Sequence, residues 1–396
     1  MNVKEPSLRR LRIANAVFFF LSGFGYSSWA SRIPNMQNKL HLNEAQLGAV
    51  LFALPIGLMA TMPLTGRLLS RFNSRSILFV GVLIFNAMLG IAGFSNETWQ
   101  LVIVLVCFGS ARNLFNISLN AQAVGVQGLY NRSIMTTFHG IWSLAGFAGA
   151  GLGYLMVSHN VYTSYHLLAV SIVMTIAAVI FYPELLHDKP THSTEKKPWF
   201  SLPDKHLLRF SVICFASMAC ENTMYDWSGI YFRKAVGSPK AEATAAFAVY
   251  MIAMTTGRFA GDRIVGKWGI RQLLRVSGVL IFVGLLLAAI FPYPIPAGAG
   301  FVCVGLGVSC IVPLVFSMAG KSTTMSSGPS LAAISTVGYL GFLIVPPLVG
   351  FVAQISSLRW SFGIIGILGA VIVWLTNELQ KSNRDAVAPT PETPSA

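Results

Sequence analysis

The chain has 396 residues, of which 54% are hydrophobic and only 11% charged. Soluble domains carry charge at about a quarter of their positions, so a soluble globular protein is excluded. The formal net charge of +14 is no sign of a nucleic-acid partner, because the basic residues divide between the two sides of a membrane rather than forming a patch.

Apolar runs of about 20 residues, each long enough to cross a hydrocarbon core of about 30 Å, recur from end to end. They lie near 11–33, 43–66, 76–95, 99–126, 134–158, 163–183, 207–232, 243–262, 272–291, 297–319, 331–354 and 359–378. This pattern predicts an all-α integral membrane protein with twelve transmembrane helices. The first run is too long for a signal-peptide core and has no convincing cleavage site, so it reads as a span. Residues 184–206, charged and Pro-bearing, predict a cytoplasmic linker between two six-helix halves, 1–183 and 207–380. Residues 381–396, with Pro389, Pro391 and Pro394, predict a disordered tail.

Basic residues fix the orientation. With the N-terminus inside, the cytoplasmic side takes Lys4, Arg9, Arg10, Arg12, Arg67, Arg71, Arg75, Arg132, Lys189, Lys196, Lys197, Lys205 and Arg209. It also takes Arg258, Arg263, Lys267, Arg271, Arg275, Lys321, Lys381 and Arg384. The outer side keeps Arg32, Lys39, Arg233, Lys234, Lys240 and Arg359, and Arg112 is left within a span. This positive-inside bias places both termini in the cytoplasm. Cys107, Cys214, Cys220, Cys303 and Cys310 all fall in predicted spans without metal-ligand spacing, as small apolar core residues do.

The halves repeat. At an offset of 198, Trp29 meets Trp227 and Glu44 meets Glu242. At an offset of 196, the loop from Arg67 through Arg71 to Arg75 meets the loop from Arg263 through Lys267 to Arg271, with Phe72 opposite Trp268. Parallel six-helix repeats are an arrangement of secondary transporters.

Over nearly its whole length the sequence resembles the major facilitator superfamily. Gly66-Arg67-Leu68-Leu69-Ser70-Arg71-Phe72-Asn73 is similar to that family's loop G-x-L-x-D-R-x-G, departing at Ser70, where the family has Asp, and at Asn73, where it has Gly. Ser28–Pro34, His139–Ser143, Glu221 with Asp226-Trp227, Val312–Ser317, and Gly338-Tyr339 with Pro346–Gly350 resemble the MosC/YbjJ-like subgroup. The resemblance implies a pseudo-symmetric major facilitator fold in a bacterial inner membrane, working as a monomer. Its first, fourth, seventh and tenth helices would line a central cavity. The cations of the two repeated loops would serve conformational latching, and the solute would be of sugar, polyol or amino-polyol type.

Polar residues inside the spans mark the candidate site. Arg112, Asn113, Asn116 and Asn120 occupy an arc of about 100° on the fourth span. They form either a solute-binding strip or an Asn network joining helices. On the first span Ser22, Tyr26 and Trp29 share a face, suited to a polar ring or to ordinary packing.

Among the 14 acidic residues, Glu221 and Asp226 fall within an apolar segment, where an ionised side chain needs a partner, an aqueous cavity or a task. Glu221 reads as a proton-coupling carboxylate or as the permanent partner of a basic group. Asp226 and Trp227, about 28 Å along the span from Leu207, read as an outer-gate or helix-end feature. Asn222 shares the face of Asp226 and joins the solute-binding set. The five-residue spacing of Glu221 and Asp226 puts them about 140° apart, so they do not form a paired-carboxylate device.

His139, at the start of the fifth span, is a titratable or helix-end histidine. No nucleotide-binding, nucleophile-elbow or metal motif is present. The expectation is a non-enzymatic, cofactor-free secondary transporter of a small polar solute, driven by protons. Efflux of amphipathic compounds by proton antiport is the alternative.

Overall fold

The computed structural model describes residues 7–131, 134–187, 205–319 and 327–385. Most of the expected linker and most of the expected tail lie outside these residues. The described residues are helical, without strands. The first half holds α1 (Leu8–Ala30), α2 (Ile33–Lys39), α3 (Glu44–Leu51), α4 (Ala53–Arg71), α5 (Ser74–Ala92), α6 (Thr98–Gln127), α7 (Met135–Ser158) and α8 (Thr163–Phe181). The second holds α9 (Lys205–Lys234), α10 (Lys240–Trp268), α11 (Ile270–Ile290), α12 (Pro294–Val308), α13 (Ile311–Ala319), α14 (Ser327–Ile355) and α15 (Leu358–Asp385).

Setting aside the seven-residue α2, and counting α3 with α4 and α12 with α13 as single interrupted spans, gives the twelve expected crossings. Nine of them are long and apolar enough by composition alone; α1, α9 and α10 complete the bundle through packing. The hydropathy of α9 is lowered by Glu221, Asn222 and Asp226, the residues the fold has reason to keep.

Proline explains both interruptions. Its ring displaces the carbonyl four residues back and removes a helix hydrogen bond. Pro55 acts on the carbonyl of Leu51, where α3 gives way to α4 at Phe52. Pro313 acts on the carbonyl of Ser309, in the step between α12 and α13. The freed Ser309 carbonyl accepts a hydrogen bond from Arg258 Nε at 3.3 Å.

The sequence offset of 196 continues into the packing. A methyl group placed on Gly109 would lie 1.9 Å from the Leu54 carbonyl oxygen, and one on Gly305 would lie 2.6 Å from that of Tyr250. Both contacts therefore need glycine, and both repeat across the halves. The paired loops solve their turns differently. Asn73 caps α5 by accepting from Ser76 N at 3.0 Å, whereas Gly269 adopts φ +77° between α10 and α11. Asn in the first copy and Gly in the second follow from these geometries.

Across the halves, α7 packs on α10 and α3 on α14. The end assigned to the outside is shut by Gly48 against Gly350, Pro34 against Gly229, and the Lys234–Glu44 ion pair.

Two cations depart from their expected positions. Arg32, in the turn between α1 and α2, is not exposed as an outer-side cation would be: it is 1% exposed, with Nε donating to His166 Nδ1 at 2.9 Å. Arg258 is not a loop-end cation: it stands ten residues inside the end of α10, about 15 Å along the axis.

Replacing Gly109 by Ala should separate α4 from α6 and lower stability by about 1–3 kcal/mol. Gly66→Ala meets nothing within 4 Å and should be neutral. Thermal unfolding in detergent, read by differential scanning fluorimetry, measures both.

Candidate functional site

Two polar clusters occupy the centre of the bundle. The first surrounds Glu221 on α9, a residue 8% exposed. Its Oε1 lies 3.7 Å from Arg258 Nη2. Arg258 also donates from Nη1 to Ser143 Oγ at 2.6 Å, and its guanidinium stands 5.4 Å from the Trp142 ring centre. Ser143 and Trp142 belong to α7, so one guanidinium ties the carboxylate of the second half to the first. Thr255 Oγ1 donates to the Ser143 carbonyl at 3.1 Å and strengthens the seam. From Trp142 the polar path continues: Nε1 donates to Ser22 Oγ at 3.3 Å, and Ser22 donates to Asn116 Oδ1 at 2.8 Å.

The second cluster is a pocket lined by Tyr26, Leu51, Leu54, Pro55, Leu58, Met59, Arg112, Asn222, Asp226, Tyr339 and Phe342. The Arg112 guanidinium lies over the Tyr26 ring, 3.7 Å from its centre. Asn222 Nδ2 donates to Asp226 Oδ2 at 3.0 Å, across one turn of α9. Tyr225 separates the clusters. It faces Tyr26 at 5.2 Å, Phe247 at 5.3 Å and Tyr250 at 6.1 Å between ring centres.

The structure thus brings Tyr26, Arg112 and Asn222 together, with Asp226 among them. Asp226, 9% exposed, lines this pocket instead of standing at the outer rim. The other members of the expected strip on α6 lie elsewhere. Asn113 donates to Thr65 Oγ1 at 2.9 Å and holds α6 to α4. Asn116 receives Ser22, and Asn120 Nδ2 returns to the Asn116 carbonyl at 2.8 Å. Trp29 and Trp227 are both packed in the core, 2% and 0% exposed.

Glycines of α7 face two neighbours, with Gly149 and Gly153 against α1 and Gly140 and Gly146 against α10. His139 sets the edge of its ring on Phe19, with centres 5.4 Å apart.

The loop cations lie at the end assigned to the cytoplasm. Arg67, Arg71, Arg263, Lys267 and Arg271 are exposed. Arg75 covers the Tyr182 ring at 4.2 Å and contacts His187. At the position where the family has Asp, Ser70 Oγ donates to the Arg67 carbonyl of its own helix at 2.8 Å.

Sequence reasoning missed Arg258, Ser143 and Ser309. The available signals were a deep carboxylate without a named partner, an arginine within the eighth span, and a proline four residues after Ser309.

The comparisons with known proteins agree with this fold. The model of the Major Facilitator Superfamily matches residues 16–328. An uncharacterized MFS-type transporter of Yersinia pestis is 32% identical, over 92% of this chain and 94% of its own. The membrane protein MosC of Rhizobium meliloti is 28% identical, over 92% and 89%. Among solved structures, the nucleoside transporter NupG superposes with a TM-score of 0.76 at 15% identity, covering 93% of this chain and 99% of that one. That identity speaks for the fold alone. The chain belongs to the major facilitator superfamily.

Proposed function

We propose that this transporter moves a small polar solute, of sugar, polyol or amino-polyol type, across the bacterial inner membrane by alternating access. Glu221 couples the movement to protons. The observation that carries this reading is the bridge from Glu221 through Arg258 to Ser143, because it joins a buried acid to the seam between the halves.

Breaking a buried ion pair by removing one partner costs about 3–5 kcal/mol. Protonating Glu221 removes its charge and leaves Arg258 with neutral acceptors, Ser143 Oγ and the Ser309 carbonyl. The relative stability of the closed and separated seams then depends on the proton. The other ionisable groups around this pair include Arg112, Tyr26, Tyr225, Tyr250, Cys214 and His139. The solute would occupy the pocket of Arg112, Asn222, Asp226 and Tyr26, with Asn116 and Asn120 further along the same helix face. Trp29 and Asn113 would support the wall from behind. The exposed cations of the two repeated loops would latch the cytoplasmic ends, and Asp226 and Trp227 would act as a gate.

A second reading has its own observation. Leu51, Leu54, Leu58, Met59 and Phe342 make much of the pocket wall apolar, which suits efflux of amphipathic compounds by proton antiport. A susceptibility screen in a pump-deleted host separates the readings: protection against several lipophilic cations favours efflux, and its absence favours the polar solute.

In proteoliposomes, Glu221→Gln should lose uphill accumulation under an imposed pH gradient, while solute counterflow stays within about twofold. Accumulation by the variant would remove Glu221 from the coupling role. The orientation has a separate check. A fusion after residue 385 should give active cytoplasmic green fluorescent protein and inactive alkaline phosphatase.

A further inference from the structure

Two arginines, Arg112 and Arg258, and two carboxyl groups, Glu221 and Asp226, stand at the centre of the bundle. Arg258 and Glu221 meet at 3.7 Å. The other two, Arg112 and Asp226, form no ion pair within 4 Å among the described residues. Arg112 has the Tyr26 ring beneath it and, among the described residues, no carboxylate within 4 Å. Asp226 is 9% exposed and, among the described residues, accepts a hydrogen bond from Asn222 to Oδ2. Both line one pocket.

An ion removed from water without a partner is costly, so each of these groups needs its opposite charge. An anionic solute would answer Arg112 and leave Asp226; a cationic one would do the reverse. A neutral polyol hydrogen-bonds to both and neutralises neither. A solute with one charge of each sign answers both and adds no net charge to the site.

We propose that the pocket takes a small zwitterion, its carboxylate or phosphate on the Arg112 guanidinium and its ammonium on the Asp226 carboxylate. Leu54, Pro55 and Leu58 lie against the body of the solute, with the Tyr339 ring completing the wall. The proposal rests on reading this chain as a transporter of a small polar solute, and it replaces the sugar, polyol or amino-polyol class with solutes bearing both charges. A planar guanidinium favours a forked anion such as carboxylate or phosphate over a hydroxyl.

The test is a thermal-shift panel on the purified full-length protein in detergent. It contains the common α-amino acids, γ-aminobutyrate, phosphoethanolamine, myo-inositol, glucose and glucosamine. Each stabilising zwitterion is followed by its N-acetyl and its ester derivatives. At least one zwitterion should raise Tm by several degrees, and both derivatives should lose the effect. Amino acids and phosphoethanolamine distinguish a carboxylate from a phosphate as the anion.

Calorimetric affinity for that zwitterion should fall at least tenfold in Asp226→Asn and in Arg112→Gln, each checked for a monodisperse elution profile. Should either variant fail to fold, the comparison of derivatives on the wild type decides. Stabilisation by glucose or inositol alone, by glucosamine as strongly as by any zwitterion, or by no zwitterion in the panel, overturns the charge assignment. The transporter reading fails separately, if no bound solute enters proteoliposomes.

Discussion

The ion pair between Glu221 and Arg258 is the constraint on which the centre of this bundle depends. A carboxylate on a residue 8% exposed requires a counter-charge, and the nearest is supplied from the next helix, α10. Arginine there has more donors than one carboxylate uses. The spare donors go to Ser143 across the seam and to the Ser309 carbonyl that Pro313 releases from its helix. A proline break, a serine on the opposite half and a buried acid are thereby joined through one side chain. Altering the charge of Glu221 changes what holds the seam.

Tyr225 and its aromatic neighbours stand between this pair and the pocket of Arg112 and Asp226, and Arg112 is also among the charged groups around Glu221. The separation has a physical consequence. Under the proposed function, proton and solute would act on the same α9 helix from faces about 140° apart without competing for one carboxylate. Both faces depend on the backbone of α9 being held by its neighbours, where Gly341 meets the Phe215 carbonyl and Gly229 meets Pro34. A change at either face is carried by a rigid helix.

Much of the architecture was legible because the bilayer restricts what a chain can do. Spans follow from apolar length, and the repeat found in the loops reappears in the contacts of Gly109 with Leu54 and Gly305 with Tyr250. Helix periodicity kept Glu221 and Asp226 on different faces. It also left Asn113 at the edge of its arc, where the structure turns it to Thr65 on α4. Periodicity gives angle, not neighbour, so it could not say which helix each edge would meet.

Depth was harder to read. Arg258 was grouped with the loop cations because it precedes a basic loop, yet α10 continues to Trp268 and leaves it well inside. Asp226 was assigned to the rim, yet it lines the same pocket as Arg112. Arg32 was placed outside and is buried against His166.

The most direct measurement of the central claim is a pulsed electron paramagnetic resonance distance across the outer end. Spin labels would replace exposed Thr98 on α6 and exposed Lys240 on α10 in a background without the native cysteines. In the wild-type background the distance distribution should differ between the acidic and the alkaline end of the range in which the protein stays folded, where Glu221 holds and lacks its proton. With Glu221→Gln it should be the same at both. An equal shift with pH in the Glu221→Gln protein would contradict the account.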